Sequence, residues 1–441
     1  MSWLRAFVFT AMSSAITIGS LACSGPEGPA GAPGAEGEAG APGTPGTPGP
    51  QGPPADATVA AIDGGTGCTS PCHGFGNVVD QWQFSKHYIM NAMATEEPAW
   101  TSAGACGNCH AIDGLERRLA GTVAIGDGGT APTNVEKGHM SYQLGAGVGE
   151  LGYSGPGTTA IVHCTTCHAF TPANDPHNTG KYEPGSAPMR VPSGADDYSM
   201  IEKSPEGSTS PVGQPAGKFK AGNTCVFCHK SRKDVTFYIT PANKMNSAYW
   251  GPHEGPQTDV YSGLGGYQFV GATYGTSVHS TVSGGCPSCH MPPVATNKGV
   301  PDHSMHPTLA FCKSCHTTYT GTTFDVQGGQ SVVRSALMEL EAALNAKGLL
   351  TRGTAKPYPP LSATQLTDNN FELDLVRPGS MTDGTDQVLD AATAGAVYNY
   401  LLIARSKDFG VHNPTYAKQL LFDSIKTITG AAPISLPSRP S

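Results

Sequence analysis

Cys225-Val226-Phe227-Cys228-His229 sets two cysteines a helical turn apart and places histidine directly after the second; the same arrangement occurs five more times. The others are CTSPCH from Cys68 to His73, CGNCH from Cys106 to His110, CTTCH from Cys164 to His168, CPSCH from Cys286 to His290 and CKSCH from Cys312 to His316. This is the haem c attachment pattern. Two thiols one short turn apart add to the two vinyl groups of a single porphyrin, and the adjacent histidine falls beneath the iron. Zinc knuckles also use CxxC pairs, but zinc does not require a histidine after every second cysteine, six times over. A disulfide across a two-residue loop is strained, so a disulfide framework fits no better. The motifs use 12 of the 13 cysteines, and the first of them, Cys68 to His73, has three spacer residues where the others have two. The expected cofactor is therefore six covalent haem c groups. Cys68, Cys72, Cys106, Cys109, Cys164, Cys167, Cys225, Cys228, Cys286, Cys289, Cys312 and Cys315 are the attachment residues, and His73, His110, His168, His229, His290 and His316 the proximal ligands.

The remaining cysteine, Cys23, closes a segment that reads as an export signal over residues 1–22: Arg5, an apolar stretch from Ala6 to Ile18, then small residues. The apolar stretch is too short to span a bilayer. Ser20-Leu21-Ala22-Cys23 looks like a bacterial lipoprotein signal, with Cys23 as the lipidated terminus of the mature chain. From Gly25 to Pro54 glycine recurs at every third position for ten triplets, which is collagen-like sequence. Residues 23–56 are read as a lipid-anchor cysteine followed by a stalk. As a polyproline II spacer at about 3.1 Å per residue it reaches on the order of 90 Å, and its strict period also permits a homotrimer through a triple helix. The chain is thus expected to be an exported lipoprotein of the cell envelope, at the periplasmic or outer-membrane or extracellular surface.

Residues 57–325 hold all six motifs and are read as one six-haem domain. With 57 glycines, 37 prolines and 7% aromatic residues, the chain is poor in material for a protein-only core. Haem faces supply the missing apolar surface. The expected fold is mainly α with extensive loops, built around a haem array, with short helices and little sheet. Residues 326–441 change texture and are read as a helical segment packing on the haem domain. Val333, Leu337, Leu340 and Leu344 recur at helical spacing, and Gly348 follows as a stop. A second apolar helix is expected over residues 391–406. Asn413-Pro414 gives an N-cap and a first-turn proline for a third helix, with Leu421, Ile425 and Ile428 on one face. The formal charge of −8, before haem propionates are added, argues against nucleic acid as a partner.

Six irons require distal ligands, and nine histidines lie outside the motifs: His87, His139, His163, His177, His253, His279, His303, His306 and His412. Most are expected to bind iron, since neutral imidazole is the common low-spin partner. His177, in a polar loop, reads as a surface residue, and one of His303 and His306 is expected to be a ligand.

The segment from Ala272 through CPSCH-Met291-Pro292, the histidine before CKSCH, and the terminal Gly410-Val411-His412-Asn413-Pro414 followed by a helix resemble the pentahaem ammonia-forming cytochrome c nitrite reductases and their multihaem relatives. The resemblance covers roughly residues 80 to 430, with the first motif as an addition. It implies that His279 serves the CKSCH haem, His412 the CPSCH haem, His303 the CTTCH haem and His87 the CVFCH haem. The departures are as informative. The catalytic haem of those reductases has lysine as its proximal ligand, whereas CGNCH ends in His110; their Glu-Tyr pair is replaced by Lys230-Ser231. His253 is available for the haem of His110, which leaves His163 or His139 for that of His73.

The function this implies is electron transfer through closely packed bis-histidine haems, in anaerobic or extracellular respiration, with redox proteins or extracellular acceptors as partners and no catalytic residue. The alternative is a reductase of nitrite, hydroxylamine or a sulfur oxyanion at one open haem.

Overall fold

The structure, a computed structural model, describes residues 72–73, 76–88, 106–121, 124–125, 141–144, 147–153, 155, 162–180, 182, 185–192, 199–200, 212–213, 219–239, 244–245, 250–294, 300–351, 377–378 and 387–441. The export signal, Cys23, the collagen-like stalk, Cys68 and His139 lie outside them. All described residues belong to one compact unit, Ala61–Ser441.

The unit is mainly α. Its three long helices stand at the C-terminal end: α1, Gly329–Ala346, α2, Ala391–Ser406, and α3, Pro414–Thr429. The first starts where Asp325 accepts the amides of Gln330 and Ser331 at 2.8 and 3.1 Å, and the chain leaves it through Gly348 at φ 69°. Asp390 caps α2 by accepting from Ala392 and Thr393, and Asn413 caps α3 by accepting from Tyr416. Pro414 follows that cap at the first helical position, and Gly430, at φ 78°, ends the helix.

The apolar faces of α1 and α2 both lie against α3. Leu340, Leu344, Val397, Leu401, Leu402, Leu420, Leu421 and Ile425 are wholly buried between them. From Ala394 to Ser406 every residue of α2 is buried, so this helix is enclosed on all sides. Two of its buried polar side chains are held within the fold. Tyr400 donates to Glu341 at 3.0 Å, and Asn399 brackets Tyr267 by accepting its amide at 2.7 Å and donating to its carbonyl at 3.0 Å. Gly395 allows that approach, because a Cβ there would strike the Tyr267 ring.

Strands are short. Residues 124–125, 147–152 and 141–144 form a three-stranded antiparallel sheet with 147–152 in the middle, and three further pairs are two residues long. Among the described residues no helix is long and apolar enough to cross a membrane. The rest of the described residues are loop and helices of one or two turns, and it is in these short helices that the motifs sit.

Leu340 occupies the centre of the three-helix contact with no exposure. Leu340→Ala should remove about 2–5 kcal/mol of stability. Denaturant unfolding of the haem-loaded protein followed by far-ultraviolet circular dichroism would show it as an earlier midpoint, with the haem absorption of the folded state unchanged.

A candidate multihaem site

In four motifs the histidine amide closes a helical turn onto the carbonyl of the first cysteine: His110 to Cys106 at 3.0 Å, and His168 to Cys164, His229 to Cys225 and His316 to Cys312 at 2.9 Å each. That turn sets the two cysteines on one face. The CPSCH motif is helical from Cys286 to His290, opened by Gly285 at φ 65° with Pro287 in the first turn. At the first motif, Cys72 and His73 lie in a wider π-type turn, in keeping with its extra spacer residue.

Each motif histidine faces a second histidine from elsewhere in the chain. Ring centroids are 5.9 Å apart for His73 and His177, 5.9 Å for His87 and His229, and 6.3 Å for His110 and His253. They are 6.2 Å apart for His168 and His303, 5.9 Å for His279 and His316, and 6.1 Å for His290 and His412. With a metal–nitrogen bond of about 2 Å and a ring centre about 1.2 Å beyond the nitrogen, two imidazoles on opposite sides of one metal stand roughly 6.4 Å apart. All six pairs therefore leave room for one metal ion between rings. The interplanar angles, from 29° to 90°, follow no single value, as expected when rings rotate freely about a shared axis.

The other ring nitrogen shows which face each imidazole presents. Nδ1 of His168 meets the Ala187 carbonyl at 2.7 Å, that of His290 the Met305 carbonyl at 3.1 Å, and that of His303 the Pro301 carbonyl at 2.7 Å. Nδ1 of His253 meets the Glu254 carbonyl at 2.9 Å, and that of His279 the Val411 carbonyl at 2.5 Å. His229 uses the side-chain oxygen of Gln257 at 2.9 Å, and Gln257 in turn donates to the Ser406 carbonyl at 2.8 Å. Two have carboxylates: His177 with Asp175 and His412 with Asp408, each at 2.9 Å. An acceptor on Nδ1 fixes the proton there and leaves Nε2 as the lone-pair nitrogen, which is how a metal-binding imidazole is held and oriented. Burial opposes ionisation of Asp408, but His412, Ser406 and the Gly410 amide outweigh it and hold the carboxyl below its ordinary range. The residues fit axial haem ligation.

The motifs also lie against one another. The thiol of Cys109 meets that of Cys228, and the thiol of Cys225 meets that of Cys286. Gly222 permits the second approach, since a Cβ there would stand 2.7 Å from the Cys286 sulfur. Three motifs far apart in sequence thus share one interior. Arg118, wholly buried, donates to the Phe227 carbonyl at 3.0 Å from both terminal nitrogens and braces the junction of two of them.

The structure departs from the expected pairing at His73. His177, expected to stand apart as a surface residue, faces His73 while its side chain remains 77% exposed. Asp175 caps the turn Pro176–Thr179 and holds both the amide and Nδ1 of His177, so the polar loop is an aiming device. His163 packs edge-on against Trp82 at 5.3 Å, and no motif histidine faces it among the described residues. His306 is exposed, while His303 faces His168. The signal for His177 was present as Asp-Pro-His, an N-cap and first-turn proline that place an acceptor two residues before the ring.

No family model matches the chain, and no curated protein matches it. Among solved structures it aligns with the crystal structure of an outer cell wall cytochrome, OcwA, with a TM-score of 0.40 and 15% identity, over 82% of this chain and 51% of that one. The chain thus spans about half the length of that protein. A likeness at this level leaves the functional reading to the chain's own residues, whose motifs and paired histidines are those of a multihaem c-type cytochrome.

His177→Ala should open one iron in the loaded protein, giving a high-spin ferric signal and carbon monoxide binding after reduction, whereas His163→Ala should leave the spectrum low-spin. The reverse outcome would overturn the pairing at His73.

Proposed function

We propose that the chain is a hexahaem electron-transfer protein of the cell envelope, in which six histidine pairs hold six irons six-coordinate. Haem c, when bound, supplies one-electron chemistry at iron. The chain's own work is to hold both axial nitrogens, exclude exogenous ligands and fix the motifs at short separations. The carrying observation is that each motif histidine, His110 included, faces a second imidazole.

That observation weighs against the reductase reading, which needs one open iron. At the motif where the resembling reductases have lysine, His253 faces His110, and the Glu254 carbonyl holds its Nδ1. Next to the CVFCH motif, Ser231 is buried and donates to Asp259 at 2.7 Å from both its amide and its hydroxyl, so the segment replacing their Glu-Tyr pair is tied into the fold. The contacts among thiols of three motifs support a continuous array. Low potentials, expected of paired imidazoles, suit respiration to soluble redox proteins or extracellular acceptors. The Cys23 signal and the Gly-X-Y stalk support anchoring to an envelope membrane, with the stalk as a spacer that holds the haem domain away from it and whose strict period also permits a homotrimer.

Intact mass of the exported protein should correspond to six haems, and its ferric electron paramagnetic resonance spectrum should contain no high-spin component. Five haems with Cys68 and Cys72 unmodified would remove the first site, and a stoichiometric high-spin signal would favour the reductase.

Cys23→Ser should move the protein from the membrane fraction to the soluble one with its haem spectrum intact. A wild-type protein that is already soluble, with an unmodified N-terminus, would sink the lipoprotein reading.

A further inference from the structure

The loop between α2 and α3 is backbone under strain. Lys407 and Phe409 have φ of 55° and 47°, in the left-handed region that side chains other than glycine rarely enter, and Gly410 follows at 82°. Strain of this kind persists only where the surroundings over-determine it. Here they do: the Arg334 guanidinium lies 3.9 Å over the Phe409 ring, and Gly410 is pressed between Val333 and Ala417, where a Cβ would not fit. The residue between the two strained positions is Asp408.

Its carboxylate is enclosed and fully engaged. The Ser406 hydroxyl donates to it at 2.6 Å, the amides of Gly410 and His412 at 3.2 Å each, and Nδ1 of His412 lies at 2.9 Å. Lys407, next to it in sequence, is exposed, and Arg405 is directed elsewhere, donating to the carbonyls of Trp250 and Pro252. The carboxylates beside two other paired histidines are more open to solvent. Asp175 beside His177 is 26% exposed and Glu254 beside His253 is 42% exposed, whereas Asp408 is 4% exposed. The remaining partners of Nδ1 are neutral: carbonyl or amide oxygens and, for His87, the Met305 sulfur at 2.6 Å.

We propose that Asp408 is a positioning residue that lowers the reduction potential of the haem on Cys286 and Cys289 below those of its neighbours, acting through Nδ1 of His412. This rests on the reading of His412 as the ligand opposite His290. A carboxylate 2.9 Å from Nδ1 stabilises positive charge on the ring and draws its proton outward, so Nε2 becomes a stronger donor and favours ferric over ferrous iron. Exclusion of water keeps that charge unscreened. Carbonyl acceptors have the same geometry without the charge, so among the described Nδ1 contacts this pair is biased most strongly.

Asp408→Asn preserves the shape and an accepting oxygen while removing the charge. Potentiometric titration of the loaded protein, followed optically and by electron paramagnetic resonance, should show one haem gaining at least tenfold in its ferrous-to-ferric ratio at fixed potential, about 59 mV for a one-electron couple. All haems should remain low-spin. Six unmoved midpoints in the folded variant would overturn the proposal. If the variant does not fold, near-infrared magnetic circular dichroism of the ferric wild type decides: one haem should show imidazolate-like ligation, and six equivalent bands would refute it. His412→Ala separates the two readings. A spectrum left low-spin by that change sinks the assignment of His412 itself, whereas an opened iron with Asp408→Asn silent sinks this inference alone.

Discussion

An imidazole can be aimed at a metal through one nitrogen only if the other nitrogen is held, and the fold around the six motifs is organised to satisfy that condition. Seven of the paired histidines have an oxygen acceptor hydrogen-bonded at Nδ1, and at an eighth, His412, the Asp408 carboxylate lies 2.9 Å from it. Most of these acceptors are main-chain carbonyls in irregular segments. This gives a physical reason for the abundance of loop: a carbonyl inside a helix or sheet is already engaged, whereas one in a turn is free to accept from a ring. A fold with more regular secondary structure would have fewer carbonyls to offer.

The three C-terminal helices have the complementary task. They form the large protein-only core, and their connecting loop reaches three histidine pairs at once. Asp408 holds His412, the Val411 carbonyl holds His279, and the Ser406 carbonyl holds Gln257 and through it His229. Asn413, which caps α3, also accepts the Ser277 amide at 2.9 Å and so draws the His279 turn against the helix start. A dense helical core is stiff. Anchoring the loop in it turns that stiffness into fixed ring positions in a region with little core of its own.

Much of this was legible in the sequence because it obeys local rules. The helices over residues 391–406 and from Pro414 follow from apolar spacing and capping residues, and the fold class follows from the motifs and the shortage of aromatic residues. His177 lies at the surface, as its loop suggests, but its pairing with His73 is not legible there. Its polar neighbours are what a surface loop requires and also what an aimed imidazole requires, so composition cannot separate the two. The choice of His303 over His306 is likewise tertiary, since it depends on which ring the turn before CKSCH brings to His168. Asp408 was invisible as a partner of His412 because the spacing of four residues suggests a helical pair, yet the intervening backbone is left-handed at Phe409 and Gly410.

The pairing of distant histidines also imposes an order of assembly. The partners of His73, His110, His168 and His290 all come later in the chain, at His177, His253, His303 and His412. A polypeptide emerging from a membrane N-terminus first therefore presents four of its six motif histidines before the residues that face them. The span from His290 to His412 crosses the whole of α1 and α2, so this pair closes only when the helical core has formed. Contacts of such long sequence separation are slow to form because loop entropy must be overcome first. Maturation thus ends with the His290–His412 pair, and a chain truncated before His412 would leave His290 without the ring that faces it however faithfully its cysteines had been filled.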